Sequence, residues 1–152
     1  MALRQIRIFG DEILRKKSRK VEVLDDKIRQ ILDDMTDTLH NSENGAAIAA
    51  PQVGILKRLV VIDMGQGLMK LVNPKIIDKE GQQEVIEGCL SIPNKWGKLM
   101  RPAKVTVQAL NENGDKITLT GTGDMAKCFC HEIDHLDGKL FTDFVTEYID
   151  VE

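Results

Sequence analysis

The stretch "FCHEIDHLDG", residues 129 to 138, constrains this chain more than any other, because two histidines stand four apart with a glutamate directly after the first. On a helix turning about 100° per residue, His131 and His135 fall about 40° apart, with Glu132 about 60° from His135 on the same side. Two imidazoles on one helix face can take one divalent ion. A carboxylate beside that ion, not needed as a ligand, stands where a general base for water belongs. The only other histidine is His40.

The helix carrying this face is predicted to begin near Thr122–Asp124 and to stop at Gly138, a residue that suits a helix C-terminus. Upstream, Ile28, Ile31, Leu32, Met35 and Leu39 recur at helical spacing between Asp25 and His40, with Asp25 placed as the N-cap. "NSENGAAIAAPQVG" reads as a loop. "RLVVIDM", "MKLVNPKII" and "QQEVIEGCLSI" are short β-rich runs broken by Gly and Pro. "KVTVQAL" and "DKITLTG" alternate around "NENG", a hairpin signal. Helices, then strands, then a helix give an α+β class with antiparallel strands. The 152 residues suffice for one domain with a core but not for two, so 1–152 is read as a single domain.

With 42% hydrophobic and 30% charged residues, the chain has a globular composition rather than a disordered or fibrous one. Its 21 basic and 24 acidic residues are mixed along the chain, leaving no basic stripe to grip nucleic acid by its phosphates. The N-terminal residues carry no long apolar run with a cleavage site, so export and membrane anchoring are not expected. Three cysteines, an odd number, argue against a disulfide scaffold and for a reducing compartment, the cytoplasm.

A catalytic metal site usually has three protein ligands and an open position. The elongated metalloprotease motif would need a third histidine where this chain has Phe141. A downstream glutamate ligand could only be Glu147 or Glu152, both close to the helix end. The remaining candidate is Cys89 in "EGCLSIP", which follows a glycine at the end of a predicted strand, where a thiolate can project toward another element. The alternative reading of Cys89 is a small buried apolar residue.

Together, "GAAIAAPQ" (45–52), "EGCLS" (87–91) and "HEIDH" (131–135) resemble the three signature motifs of the peptide deformylase family, in the family's order and with similar separations; the resemblance extends over nearly the whole chain. It implies a central helix carrying the histidines, surrounded by antiparallel sheets. It further implies removal of the formyl group from the N-terminal formylmethionine of nascent polypeptides, with release of formate. Carried over by position, Cys89, His131 and His135 would hold one divalent metal ion, Fe(II) in the family, although such a set also accepts Zn(II) or Ni(II). Glu132 would be the general acid/base, and Gln52 with the backbone N–H of Leu90 would stabilise the oxyanion. Gly45, Ala46 and Ala47 would bind substrate. The implied partners are N-formylmethionyl nascent peptides and, transiently, the ribosome; a monomer is expected, with no membrane and no specific nucleic acid.

The residue types suit this chemistry in their own right. A divalent ion polarises a carbonyl and acidifies water. Glu132 can take the water's proton and return it to the departing amine. The Gln52 amide and the Leu90 N–H can donate to the oxyanion, one such donor being worth roughly 3 to 4 kcal/mol of barrier. Glu87 is expected to orient the Cys89 loop, and Asp134, off the ligand face, to pair with Arg101.

Three positions depart from the family pattern. Ala47 replaces a second glycine, so its methyl group would narrow the channel beside the loop. Cys130 replaces a common glutamine; it lies about 100° from His131 and is expected to miss the ion, as is the buried Cys128. Lys127 sits one turn before His131, where its ammonium is expected to snorkel outward. These departures keep open a metal domain that has lost turnover. A metallopeptidase is disfavoured because neither of its standard third ligands is present.

Overall fold

A computed structural model describes residues 3–42, 45–65 and 67–149. Helix α1 is Asp26–His40, and strands β1 (Ala47–Ala49), β2 (Leu59–Asp63), β3 (Leu68–Glu80), β4 (Gln83–Cys89), β5 (Ile92–Arg101), β6 (Lys104–Leu110) and β7 (Lys116–Thr122) follow. Helix α2, Gly123–Leu136, and the short β8, Glu147–Ile149, complete the order. The strands form a five-stranded antiparallel sheet, β1-β2-β3-β6-β7, and a three-stranded one, β4-β5-β8. This is the α+β class expected from the element order.

The two helices cover opposite faces of the larger sheet. Ile28, Leu32, Met35 and Leu39 of α1 pack with Ile48, Leu59, Val61 and Val72, whereas Ala126, Phe129, Cys130 and Ile133 of α2 pack with Ala49, Val60, Ile62 and Leu71. Burial on both faces explains why β2 reads "LVVID", a continuous apolar run with no alternation. A third cluster, Leu14, Val85, Ile92, Leu99, Leu140 and Phe141, fills the space under the smaller sheet.

Several expectations hold at the level of single groups. The Asp25 carboxylate accepts the Ile28 N–H at 3.0 Å and starts α1 as a cap. α2 ends just before Gly138, whose φ of +74° is a left-handed conformation that glycine adopts without strain. The hairpin around "NENG" joins β6 to β7 in full register.

Three strands went unforeseen. β1 lies in a stretch read as a loop and forms because Ala47, Ile48 and Ala49 pair with Ile62, Val61 and Val60. β5 contains Pro93, Gly97 and Asn94 at φ +63°, which hide its pattern, yet it is the central strand of the smaller sheet. β8 is three residues held by Trp96, Gly97 and Lys98 of β5. Among the described residues, no helix is long and apolar enough to cross a membrane.

Candidate active site

α2 brings His131, Glu132 and His135 to the side of the molecule where β1 and β4 come together. A cleft of about 550 Å³ opens there, lined by Gly45, Ala46, Ala47, Gln52, residues 86–90, Trp96, Lys127, His131 and Glu132 among others. β1 and β4 are both edge strands, so each presents an unpaired main-chain margin to this side of the fold.

The donor atoms of Cys89, His131 and His135 all lie within 4.8 Å of one another. Cys89 Sγ is 3.3 Å from His135 Nε2. Ligand atoms around one tetrahedral ion at the usual ~2.0–2.3 Å bond lengths would stand roughly 3.5 Å apart. The set therefore fits a single divalent ion after a slight closure. Cys89 comes from the end of β4, at an irregularity in its pairing with β5 that falls between Glu87 and Cys89. A bulge of this kind re-aims a side chain out of the alternating pattern. Gly88 leaves room for the Trp96 ring, which a Cβ at this position would meet at 2.6 Å.

The His131 ring is fixed from behind. Its Nδ1–H donates to Glu87 Oε1 at 2.6 Å, which leaves Nε2 facing the cluster. Glu87 also accepts two bonds from Arg101, from Nε at 2.7 Å and Nη2 at 3.0 Å, while Arg101 Nη1 donates to Asp134 at 2.6 Å. The Asp134–Arg101 pair is as expected, whereas Glu87 orients His131 itself. Burial works to raise the Glu87 pKa, but the bonds from His131 and Arg101 outweigh it and hold the group down at about 2. Burial works against the Arg101 cation, and the two carboxylates outweigh it, so its pKa is raised.

Phe141, at the position of a third histidine in the metalloprotease motif, stacks on the His131 ring at 6.1 Å. Glu147 is an exposed β8 residue 3.8 Å from Lys98, and Glu152 lies outside the described residues. Cys128 and Cys130 are buried, and neither belongs to the cluster of donors. Burial pushes both thiols up, which disfavours the thiolate a metal would need.

Glu132 is 4% exposed, and its Oε1 meets no hydrogen-bond partner within the chain. Burial pushes its carboxyl up to about 7; a cation in the cluster would draw that value down. His135 Nδ1 is likewise buried without a partner, and burial lowers the pKa of the ring well below the usual histidine value. An imidazole kept neutral is one ready to bind a metal.

Gln52 is 1% exposed, where a solvated loop side chain was the plain alternative. It sits in a 3₁₀ turn, Ala50–Val53, directly after β1. Its Oε1 accepts the Ala49 N–H at 2.9 Å, so its NH2 faces Cys89 Sγ at 3.4 Å and Ser91 Oγ at 3.2 Å. Leu90 occupies the tight turn between β4 and β5 and lines the cleft. Gly45 is there for packing: a Cβ would come within 3.0 Å of Leu39 Cδ1 and 3.3 Å of Leu90 Cδ1. Lys127 does not point outward as expected. Its ammonium crosses to β4, donating to the Ile86 carbonyl at 3.3 Å, with Asp124 3.8 Å away.

A half-buried cysteine and two buried histidines with an adjoining carboxylate, beside a cleft in an α+β scaffold, define a metal-dependent hydrolase. A family model for polypeptide deformylase matches residues 3–148, and the chain belongs to that family. Peptide deformylase 2 of Clostridium acetobutylicum is 80% identical over 149 residues, which are 98% of this chain and 99% of that protein. The Acetivibrio thermocellus peptide deformylase is 59% identical, over 99% of this chain and 88% of that protein. Among solved structures, the peptide deformylase of Legionella pneumophila superposes with a TM-score of 0.92 at 41% identity, covering 95% of this chain and 87% of that one. The Synechococcus elongatus peptide deformylase in complex with actinonin gives 0.91 at 41% identity, covering 95% and 79%. The chain is accordingly a metal-dependent enzyme that removes the formyl group from the N-terminal formylmethionine of nascent polypeptides and releases formate.

Proposed function

We propose that Cys89, His131 and His135 hold the metal ion of this reaction, Fe(II) in the cell, and that Glu132 moves the proton. The bound ion would supply Lewis acidity toward the formyl carbonyl and toward water. The observation that carries the reading is Glu132 itself. It is a buried carboxylate beside the ligand set, 3.8 Å from His131 Nε2, with one oxygen left unsatisfied by the protein. That oxygen is free to accept a proton from the attacking water and to return it to the amine that leaves. Gln52 Nε2–H and the Leu90 N–H flank Cys89 and would receive the negative charge that develops on the formyl oxygen.

Substrate would enter as an extended peptide between the margins of β1 and β4, adding main-chain hydrogen bonds at Gly45, Ala46 and Ala47. The methionine side chain would rest on the apolar wall of Met64, Ile86, Leu90 and Trp96, all lining residues of the cleft. Residues 1–152 act as one catalytic domain, supported by a family match over 3–148. The enzyme works in the cytoplasm as a monomer and meets its substrate in transient contact with the ribosome, a reading that rests on the family reaction.

Glu132→Gln keeps the size of the side chain and removes the basic oxygen. The chain should retain one metal ion while formate release from a formylmethionyl peptide falls by about 10² to 10⁴, the range for a lost acid/base. Metal loss in this variant would make Glu132 a ligand, and near-normal turnover with metal retained would assign the proton to another group.

A further inference from the structure

Ser91 is wholly buried, lies outside the ligand set, and is not among the residues that line the cleft. Its Oγ nonetheless accepts the Gln52 Nε2–H at 3.2 Å. At the far end of the same amide, Oε1 accepts the Ala49 N–H at 2.9 Å. An amide turned over would aim its NH2 at the Ala49 N–H and its oxygen at Cys89 Sγ, losing both bonds. The Ala49 N–H thus decides which end of the Gln52 amide faces the cluster, while the Ser91 hydroxyl, able to bond either end, pins where that end points.

The spacing of this pair is set from outside the cleft. The extended N-terminal segment donates from Arg7 N to the Gln52 carbonyl at 2.6 Å and from Phe9 N to the Ser91 carbonyl at 2.7 Å. One stretch of main chain thus clips the turn carrying Gln52 to the turn carrying Leu90 and Ser91. The two turns belong to different sheets, so this clip is a main-chain tie between them in addition to the Gln52–Ser91 side-chain bond.

We propose that Ser91 is a positioning residue for deformylation: its buried hydroxyl holds the Gln52 amide with an N–H directed at the oxyanion. The inference rests on the oxyanion role proposed above for Gln52. With Ser91 in place, one amide hydrogen is taken by the hydroxyl and the other lies toward Cys89 Sγ at 3.4 Å, the side on which the oxyanion would form. Without it, the amide keeps only its Ala49 anchor and can swing about it, and a donor a fraction of an ångström out of place loses much of its effect on the barrier.

The test uses the metal-loaded chain and the variants Ser91→Ala, Gln52→Ala and the double variant. Ser91→Ala should keep one metal ion per chain and an unchanged KM, with kcat lowered about tenfold to a hundredfold, part of the loss seen on removing an oxyanion donor outright. In the Gln52→Ala background the same change should cost almost nothing further, because the group it positions is gone. In the zinc-loaded chain, which is diamagnetic, the Gln52 side-chain amide signals should move in Ser91→Ala while those of other glutamines stay. Equal losses from Ser91→Ala in the presence and absence of Gln52 would overturn the proposal, as would unmoved amide signals. Full activity of Gln52→Ala would instead remove the oxyanion role on which it rests. Should the alanine chain fail to fold, Ser91→Cys keeps the volume but offers only a weak acceptor. A lowered kcat with metal retained then supports the role, and wild-type kcat overturns it.

Discussion

At the scale of single residues, the cluster is held by charges that lie behind it. Arg101 is 7% exposed and joins Glu87 to Asp134, and Glu87 in turn fixes the His131 tautomer. Replacing Arg101 with Met fills the volume but leaves two carboxylates without their cation. Breaking a buried pair in this way costs about 3–5 kcal/mol, which denaturant unfolding of Arg101→Met would read directly. His131 loses a fixed partner at the same time, so metal affinity should fall about 10- to 100-fold, the usual effect of losing a group that orients a ligand. Wild-type metal affinity in this variant would show that Glu87 holds His131 without help.

At the scale of elements, β1 and the end of α2 carry the design. The Ala47 methyl packs toward the α2 cluster and also lines the cleft, beside the margin where substrate would pair. Ala47→Gly should widen that margin and lower KM on a formylmethionyl peptide with kcat little changed. It should also cost about 0.5–1 kcal/mol of stability, as glycine does in a strand. A change in kcat alone would place the effect of Ala47 on chemistry. At the other end of α2, the Leu136 carbonyl accepts from Ser18 N at 2.7 Å and Arg58 Nη1 at 3.1 Å, so the last turn is capped by distant segments. Gly138 follows at φ +74°, and a Cβ there would run into the Arg15 carbonyl. Gly138→Ala should therefore destabilise the fold by more than the ~1–2 kcal/mol of the left-handed conformation alone. A thermal melt identical to that of the parent chain would refute this account of the junction.

At the scale of the whole molecule, the proposed ligands come from two elements far apart in sequence: Cys89 from the smaller sheet and the histidines from α2 beneath the larger one. A metal ion held by that set would tie the smaller sheet to α2. An ion that binds only the folded state adds about 2.7 kcal/mol at a hundredfold excess over Kd, roughly 5–10 °C in Tm for a chain of this size. Chelation should lower Tm by that order, and restoring the metal should return it. Equal melting of the loaded and chelated chains would mean that the folded and unfolded states hold the ion alike.

The sequence by itself determined whatever depends on neighbours along the chain. The period of α1 and its Asp25 cap, the His131–His135 face, the "NENG" hairpin and the helix stop at Gly138 are all local, and all were legible. Cys89 could be placed beside the histidines because its motif stood in the right order with two others, not because any spacing required it. Tertiary structure alone decided the rest. β1, β5 and β8 exist by virtue of their pairing partners, so no periodicity announced them. Gln52 is buried because the chain from Arg7 to Phe9 covers its turn. Glu87 turns to His131, and not to its own loop, because Arg101 arrives from the neighbouring strand to hold it there. Lys127 bends to the Ile86 carbonyl because β4 comes within its reach. These are contacts across long separations, set by packing and by the need of buried polar groups for partners, and neither requirement leaves a mark in the local sequence.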